Sequence, residues 1–417
     1  MLSELDDSWS FKDIARTETS YLTHSYHRYP AKFIPQVAGR LIRENSRKGD
    51  LVCDPFMGSG TTLLEAIVND RHAYGADINP VAVLIARAKT TPIEPSRIRS
   101  KVIPLLKSLD ASAGKVVATP NCFGSTRIDY WFPERQKQDL ALILSRIKSV
   151  DDDVQTFLLC SFSNILKGCS RWLMKSVKPT RDKNKVIADA NRSFILQTKR
   201  MMIKNEELWN ALQRKKFKCV TDNKDARQLS VLDSACSLVV SSPPYVTSYE
   251  YADLHQLTAL WLGYFAEGAF REFRSRFIGS IQREKPDHKI KTSLYSTLAK
   301  ETIASLRASD PRAADAAERY FFEMQQCFEE MNRILKPKGR AAIVIGDTDL
   351  RKIKIRNAEI FVETMNRVGF KTHNIIERPI PSKILPVTRD EKTGRFASTA
   401  KADRLAYPTE FIIVMEA

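Results

Sequence analysis

The chain has 417 residues, 43% of them apolar, and a formal charge of +17 at pH 7. That length and apolar share can bury a large core and point to one catalytic domain with a substantial insertion, and the charge points to a polyanionic partner. No apolar run approaches the ~18 residues a membrane span needs, and the opening Met1-Leu2-Ser3-Glu4-Leu5-Asp6-Asp7 is acidic where a secretory leader is basic, so a cytoplasmic protein without membrane contact is expected.

From 35 to 90 strands and helices alternate. A helix is predicted from Pro35 to Asn45, a strand over 51–54, a helix over 61–69, a strand over 72–77 and a helix over 80–89. Such alternation predicts a parallel sheet with helices on both faces. From Thr91 to Arg214 the apolar spacing is helical, notably in Gln138–Leu144, from Phe157 through Met174, and from Ala190 to Leu212. Strands return at 217–220, 237–241, 341–346, 373–379 and 410–416. The sheet is therefore read as interrupted by a helical insert rather than followed by a second domain.

The run Leu51-Val52-Cys53-Asp54-Pro55-Phe56-Met57-Gly58-Ser59-Gly60-Thr61-Thr62-Leu63-Leu64-Glu65-Ala66 reads as buried strand, glycine turn and helix start, with Thr61 or Thr62 as cap and Glu65 in the first turn. Glycines let a ligand approach the backbone, and the helix start offers unpaired N–H groups. The third glycine of a dinucleotide fingerprint and the Gly-Lys-Ser/Thr of a Walker loop are both missing, so a nucleotide-like guest without a bound pyrophosphate is favoured. Asp77, next to Ile78 and about twenty residues after the glycines, stands where a carboxylate reaches ribose hydroxyls.

One residue after Leu238-Val239-Val240 and Ser241 comes Ser242-Pro243-Pro244-Tyr245. Two prolines fix φ and remove two donors, so their carbonyls project as acceptors without competing N–H groups. With the Ser242 hydroxyl they suit an exocyclic amino group, while Tyr245 suits stacking on the attached base; an isolated motif of this kind is also compatible with an ordinary strand exit.

Together, Asp54-Pro55-Phe56-Met57-Gly58-Ser59-Gly60 and Ser242-Pro243-Pro244-Tyr245 resemble the motifs of the bacterial DNA amino-methyltransferase family. His27-Arg28-Tyr29-Pro30-Ala31-Lys32-Phe33-Ile34-Pro35 is similar to that family's Pro-Ala-Lys/Arg-Phe-x-Pro element. The resemblance implies a Rossmann-like, seven-stranded, mostly parallel sheet with an antiparallel last strand, and S-adenosylmethionine as cofactor. By the same resemblance Ala31, Lys32 and Phe33 hold the cofactor's methionine end, Asp54, Phe56, Met57, Gly58, Ser59, Gly60, Thr61, Asp77 and Ile78 complete its site, and Asp225, in Asp225-Ala226-Arg227, approaches its adenine. Ser242, Pro243, Pro244 and Tyr245 become the catalytic turn, and the serine form resembles the N4-cytosine branch. The implied partner is double-stranded DNA with the target base flipped out, accompanied by a cognate restriction endonuclease.

The division expected is 21–90 for the first part of the methyltransferase domain, 91–215 for a helical target-recognition insertion, and 216–417 for the catalytic part, with a basic loop at 267–315. Between Lys167 and Lys218 fifteen Lys and Arg face four acids, a run read as phosphate contacts rather than merely a solvated face. Seven cysteines include no Cys-x-x-Cys pair and none that follows a proline, so neither a metal site nor the Pro-Cys nucleophile of C5-cytosine methylation is expected. N6-adenine methylation, RNA methylation and a non-catalytic DNA-binding module remain the alternatives.

Overall fold

The apolar runs become the strands of one twisted sheet: β1 (Glu4–Leu5), β2 (Leu51–Asp54), β3 (His72–Ala76), β4 (Cys219–Asp222), β5 (Cys236–Ser241) and β6 (Leu335–Ile345). A hairpin of β7 (Thr348–Leu350) and β8 (Ile353–Ile355) lies outside it, followed by β9 (Lys371–Pro379). The two-residue strands β10 (Thr388–Arg389), β11 (Phe396–Ala397) and β12 (Arg404–Leu405) form a small antiparallel sheet of their own, and β13 (Thr409–Glu416) completes the main one. This computed structural model describes residues 4–15, 17–29, 33–111, 125–150, 152–176, 178–213, 215–246, 251–266, 268–280, 294–380, 388–389, 396–397, 404–405 and 409–417.

The main sheet has the order β1-β9-β13-β6-β5-β2-β3-β4. From β6 to β4 every pairing is parallel, and β13 runs antiparallel to both β6 and β9. Seven of these strands are the expected ones, and β1 adds two residues at the edge beside β9. Strand β4 starts two residues later than predicted. Strand β6 starts earlier, because its opening Leu335–Gly339 bends through Lys338 at φ 66° and is pinned to the chain end by Lys338 N–H donating to Ala417 O at 2.9 Å and Ala417 N–H to Gly339 O at 2.9 Å.

Both sheet faces are buried, as parallel pairing requires. Helices α1 (Pro35–Asn45), α2 (Thr61–Val68) and α3 (Pro80–Thr90) follow the first strands. Val52, Leu238, Val240 and Val344 pack on one face with Val37 and Leu41 of α1 and Leu63 of α2. Cys53, Val239, Ala341 and Ile343 alternate onto the other. Between α3 and β4 come α4 (Pro95–Ala111), α5 (Thr126–Trp131), α6 (Glu134–Lys148), α7 (Asp152–Leu166) and α8 (Ala190–Leu212), whose apolar core is continuous with Val81, Ala82 and Ile85 of α3. The helical pattern predicted through Met174 stops at Leu166, where Gly168 and a turn follow. Short helices α9 (Tyr251–Leu254), α10 (Gln256–Trp261) and α11 (Phe270–Ser275) follow β5, and α12 (Thr297–Ser309), α13 (Pro311–Ile334) and α14 (Asn357–Val368) cover the second face. No described helix is long and apolar enough to cross a membrane.

The strand order reverses between β2 and β5, so a crevice opens at their carboxyl ends, where ligands of open α/β sheets bind. Asp54 and Ser241, the last residues of these two strands, stand there.

Candidate active site

The turn after β2 depends on two glycines. Gly58 has φ 48° and Gly60 φ 73°, left-handed values that L side chains rarely adopt. A Cβ on Gly60 would come within 2.9 Å of Ala86 Cβ, so only glycine lets the loop lie this close to α3. Gly60, rather than Thr61 or Thr62, is the N-cap of α2, and no side chain caps that helix. Thr61 lines the crevice with its hydroxyl buried and without a hydrogen-bond partner among the described residues. Thr62 instead donates to Val240 O at 3.2 Å, tying α2 to β5.

The turn after β5 is built differently. Tyr320 of α13 donates its hydroxyl to Pro244 O at 2.7 Å, which fixes the second proline. Among the described residues, neither the Ser242 hydroxyl nor the Pro243 carbonyl has a hydrogen-bond partner. Ser241 points back into the fold, donating to Asp54 Oδ1 at 2.6 Å. One buried carboxylate therefore links the two turns.

Both turns line a single cleft. Of the residues predicted for the site, Phe33, Asp54, Phe56, Met57, Gly58, Ser59, Thr61, Asp77, Ile78, Asp225, Ser242 and Pro244 line it. Pro243 is buried beside them, and Gly60 shapes the loop. Tyr245 is not in the lining: its ring lies against Gly346, where an added Cβ would come within 3.3 Å of Cε2 and of the hydroxyl. Tyr251 is in the lining instead. Ala31, Lys32 and Tyr249 lie outside the described residues.

The carboxylates differ in their surroundings. Asp77 accepts from Gly58 N–H at 3.0 Å and Asn79 N–H at 2.8 Å. Burial nevertheless pushes it up to about 7; the two N–H groups oppose that shift and the Asp54 charge adds to it. Asp54 is pushed up to about 6 by burial, against hydrogen bonds from Ser241, Thr62 and Phe56 N–H. The Asp225 carboxylate is gripped by Arg227, Nε at 2.9 Å and Nη2 at 2.6 Å.

Several residues that shape the cleft were not singled out from the sequence. Lys89 is 1% exposed, and its ammonium donates to Ser59 O at 2.6 Å, holding the glycine loop from behind. Its signal was there to read, one of two cations, with Arg87, in the otherwise apolar run of α3. Tyr29 packs over Gly58 and lies 4.9 Å from the His255 ring, which is itself bonded to Asn79 at 3.0 Å. Burial, with His27 adding, pushes His255 down to about 3 and keeps it neutral. Arg276, in the basic loop expected at 267–315, lines the cleft together with its neighbours Phe277 and Ile278.

The sheet order and a glycine-turn cleft at its switch point define an α/β enzyme that takes a nucleoside-bearing cofactor. Residues 2–88 match the family described as DNA methylase, a grouping of N6 and N4 methyltransferases. Over 92% of its length the chain is 26% identical to the Type II methyltransferase M.MvaI of Kocuria varians, covering 89% of that protein. It is 25% identical to the Type II methyltransferase M.BsoBI of Geobacillus stearothermophilus over 77% of this chain and 73% of that one. A solved S-adenosylmethionine-dependent methyltransferase of Methanosarcina mazei aligns over 90% of this chain and 96% of that one, at 11% identity and a TM-score of 0.31, a likeness too loose to bear on function. The chain is thus similar over most of its length to Type II methyltransferases, and its glycine-loop region carries the match to the DNA methylase family.

Proposed function

We propose that this enzyme transfers the methyl group of S-adenosylmethionine to the exocyclic N4 of cytosine in duplex DNA, as the modification half of a restriction–modification pair with a cognate endonuclease. The observation that carries the reading is the pair of acceptors, Ser242 Oγ and Pro243 O, without partners among the described residues, on a turn that shares one cleft with the glycine loop. The pairing with an endonuclease rests on relatives named as Type II methyltransferases.

The cleft fits the cofactor. The uncapped start of α2 and the orphaned Thr61 hydroxyl suit its carboxylate. Asp77 retains lone pairs for ribose hydroxyls, and Ile78 with Asp225 stands where the adenine would lie. Ala31, Lys32 and Phe33 are assigned to its methionine end. When bound, the cofactor supplies an electrophilic methyl on a sulfonium centre.

An exocyclic amine conjugated with its ring is a poor nucleophile. Two acceptors drawing on its N–H bonds, Ser242 Oγ and Pro243 O, favour the pyramidal nitrogen and the positive charge that grows on it. Tyr320 keeps the turn from relaxing toward the amine by holding Pro244 O. Flipping the base costs about a few kcal/mol, and an aromatic partner returns roughly 1–3 kcal/mol; Tyr251, in the cleft lining, is placed for that role, and Tyr245 stiffens the turn against Gly346.

The test is to methylate duplex DNA with the purified enzyme, digest it to nucleosides and weigh them. N4-methylcytosine is expected. N6-methyladenine would move the enzyme to the other branch while keeping the same cleft, and methylation of transfer RNA in preference to duplex DNA would contradict the substrate.

A further inference from the structure

Beyond the cleft, the most distinctive surface is the turn that follows α7. Leu173 N–H donates to Thr180 O at 2.8 Å and Asp182 N–H to Arg171 O at 2.8 Å, with Trp172 and Arg181 bridged, so residues 171–176 and 178–183 form a short hairpin. Its root is rigid. Lys185 spends its ammonium on three carbonyls, Lys167 at 2.7 Å, Ser170 at 2.7 Å and Trp172 at 2.8 Å. Trp172 is stacked on Trp131 at 5.3 Å, and Arg171 N–H donates to Trp131 O at 2.8 Å.

Among the described residues, the cations of this hairpin are not neutralised by carboxylates. Lys175, Lys178 and Lys183 are exposed, and among the described residues none of them, nor Arg171 or Arg181, has a carboxylate partner. The single acid, Asp182, turns its carboxylate to Asn184 N–H at 3.0 Å. Arg181 lies 4.4 Å over the ring of Tyr130, which is 49% exposed. Holding several cations together on an ordered turn with no counter-charge is unfavourable unless an anion is supplied from outside.

The root of the hairpin is linked to the cleft wall. Its root residue Lys167 is close enough to Arg28 that, after burial, that guanidinium and then Lys185 hold its pKa down, to about 8. Arg28 N–H donates to Asn164 Oδ1 of α7 at 3.1 Å, and the next residue, Tyr29, lines the cleft.

The geometry points to this hairpin as the clamp for the sugar–phosphate backbone of duplex DNA beside the cleft, with Lys175, Lys178 and Lys183 as the phosphate contacts. The inference rests on the DNA reading above and narrows the 91–215 insertion to one element. It also removes some cations from the count made on the sequence, since Lys185 and Lys215, the latter paired with Asp70 at 2.9 Å, serve the fold.

The experiment measures how binding of a labelled duplex of mixed sequence, several helical turns long, depends on salt. Each lost phosphate contact lowers the slope of log affinity against log salt by about 0.9. Lys175→Gln, Lys178→Gln and Lys183→Gln together should lower it by roughly 2 to 3, and each alone by close to one. Lys336→Gln with Lys338→Gln, at the start of β6 and so at the amino ends of the parallel strands, away from the cleft at their carboxyl ends, should leave it unchanged. The single variants, each an exposed side chain, decide the matter should the triple variant fail to fold. Wild-type enzyme that methylates DNA while the hairpin variants keep the full slope would overturn the clamp alone, whereas wild-type enzyme that neither binds nor methylates a duplex would overturn the DNA reading. Transfer RNA displacing the duplex at equal phosphate concentration would overturn the choice of partner.

Discussion

The two walls of the cleft solve opposite problems. On the β2 side nearly every polar group is satisfied within the chain: Asp77 is held by Gly58 and Asn79, Asp54 by Ser241 and Phe56, and Ser59 by Lys89. On the β5 side the Ser242 hydroxyl and the Pro243 carbonyl have no partners among the described residues. Ser242 is half-buried and lines the cleft, so its hydroxyl is open to a donor that enters there. On the proposed function, the closed wall holds the cofactor and the open one receives the base.

The comparison breaks most visibly at Ser242. Ser242→Ala should lower kcat by roughly 10²–10³-fold, the usual effect of losing one preorganised partner of transition-state charge, with cofactor affinity by calorimetry unchanged; a matching loss of affinity would put Ser242 on the wrong wall. Asp77→Ala should do the converse, weakening S-adenosylmethionine by about thirtyfold, the equivalent of ~2 kcal/mol for a charge-assisted hydrogen bond, at nearly constant kcat.

The pH dependence sharpens the same contrast. A cationic ligand favours ionised Asp77, which burial holds up to about 7, so the affinity of the wild type should rise as pH climbs from below 7 to above it and then level off. Asp77→Asn should flatten that rise, and an unchanged profile would assign it to another group. Lys89→Met leaves Ser59 O without its donor, and a several-fold loss of cofactor affinity is expected from the ~1 kcal/mol of one hydrogen bond, with the KM for DNA unchanged. Tyr320→Phe should have the smallest effect, lowering kcat about fivefold for a similar energy and leaving cofactor binding intact.

Sequence reasoning reached the parts of this site that local chemistry dictates. Gly58 and Gly60 need positive φ, and Pro243 and Pro244 lack donors, so the residue types themselves announce the turns. Alternating apolar runs gave the parallel strands and their order of appearance. What stayed hidden depends on contacts between distant segments. Phe277 enters the cleft from beyond α11, and Tyr29 packs directly over Gly58 beside the tilted ring of His255. The helix read through Met174 failed because the apolar side chains of Trp172 and Leu173 mimic a helical face while Gly168 and the Lys185 bonds end it. Tyr245 was set against the base because its position in the motif invites it, yet Gly346, about a hundred residues away in sequence, receives its ring.

The central claim is tested most directly by a crystal structure of the enzyme with S-adenosylhomocysteine and a duplex carrying its target site. The account predicts a flipped base whose exocyclic nitrogen lies within hydrogen-bond reach, ~3 Å, of both Ser242 Oγ and Pro243 O and faces the cofactor over the Gly58–Gly60 loop. A base bound against another wall of the cleft, with those two oxygens still unpartnered, would contradict it.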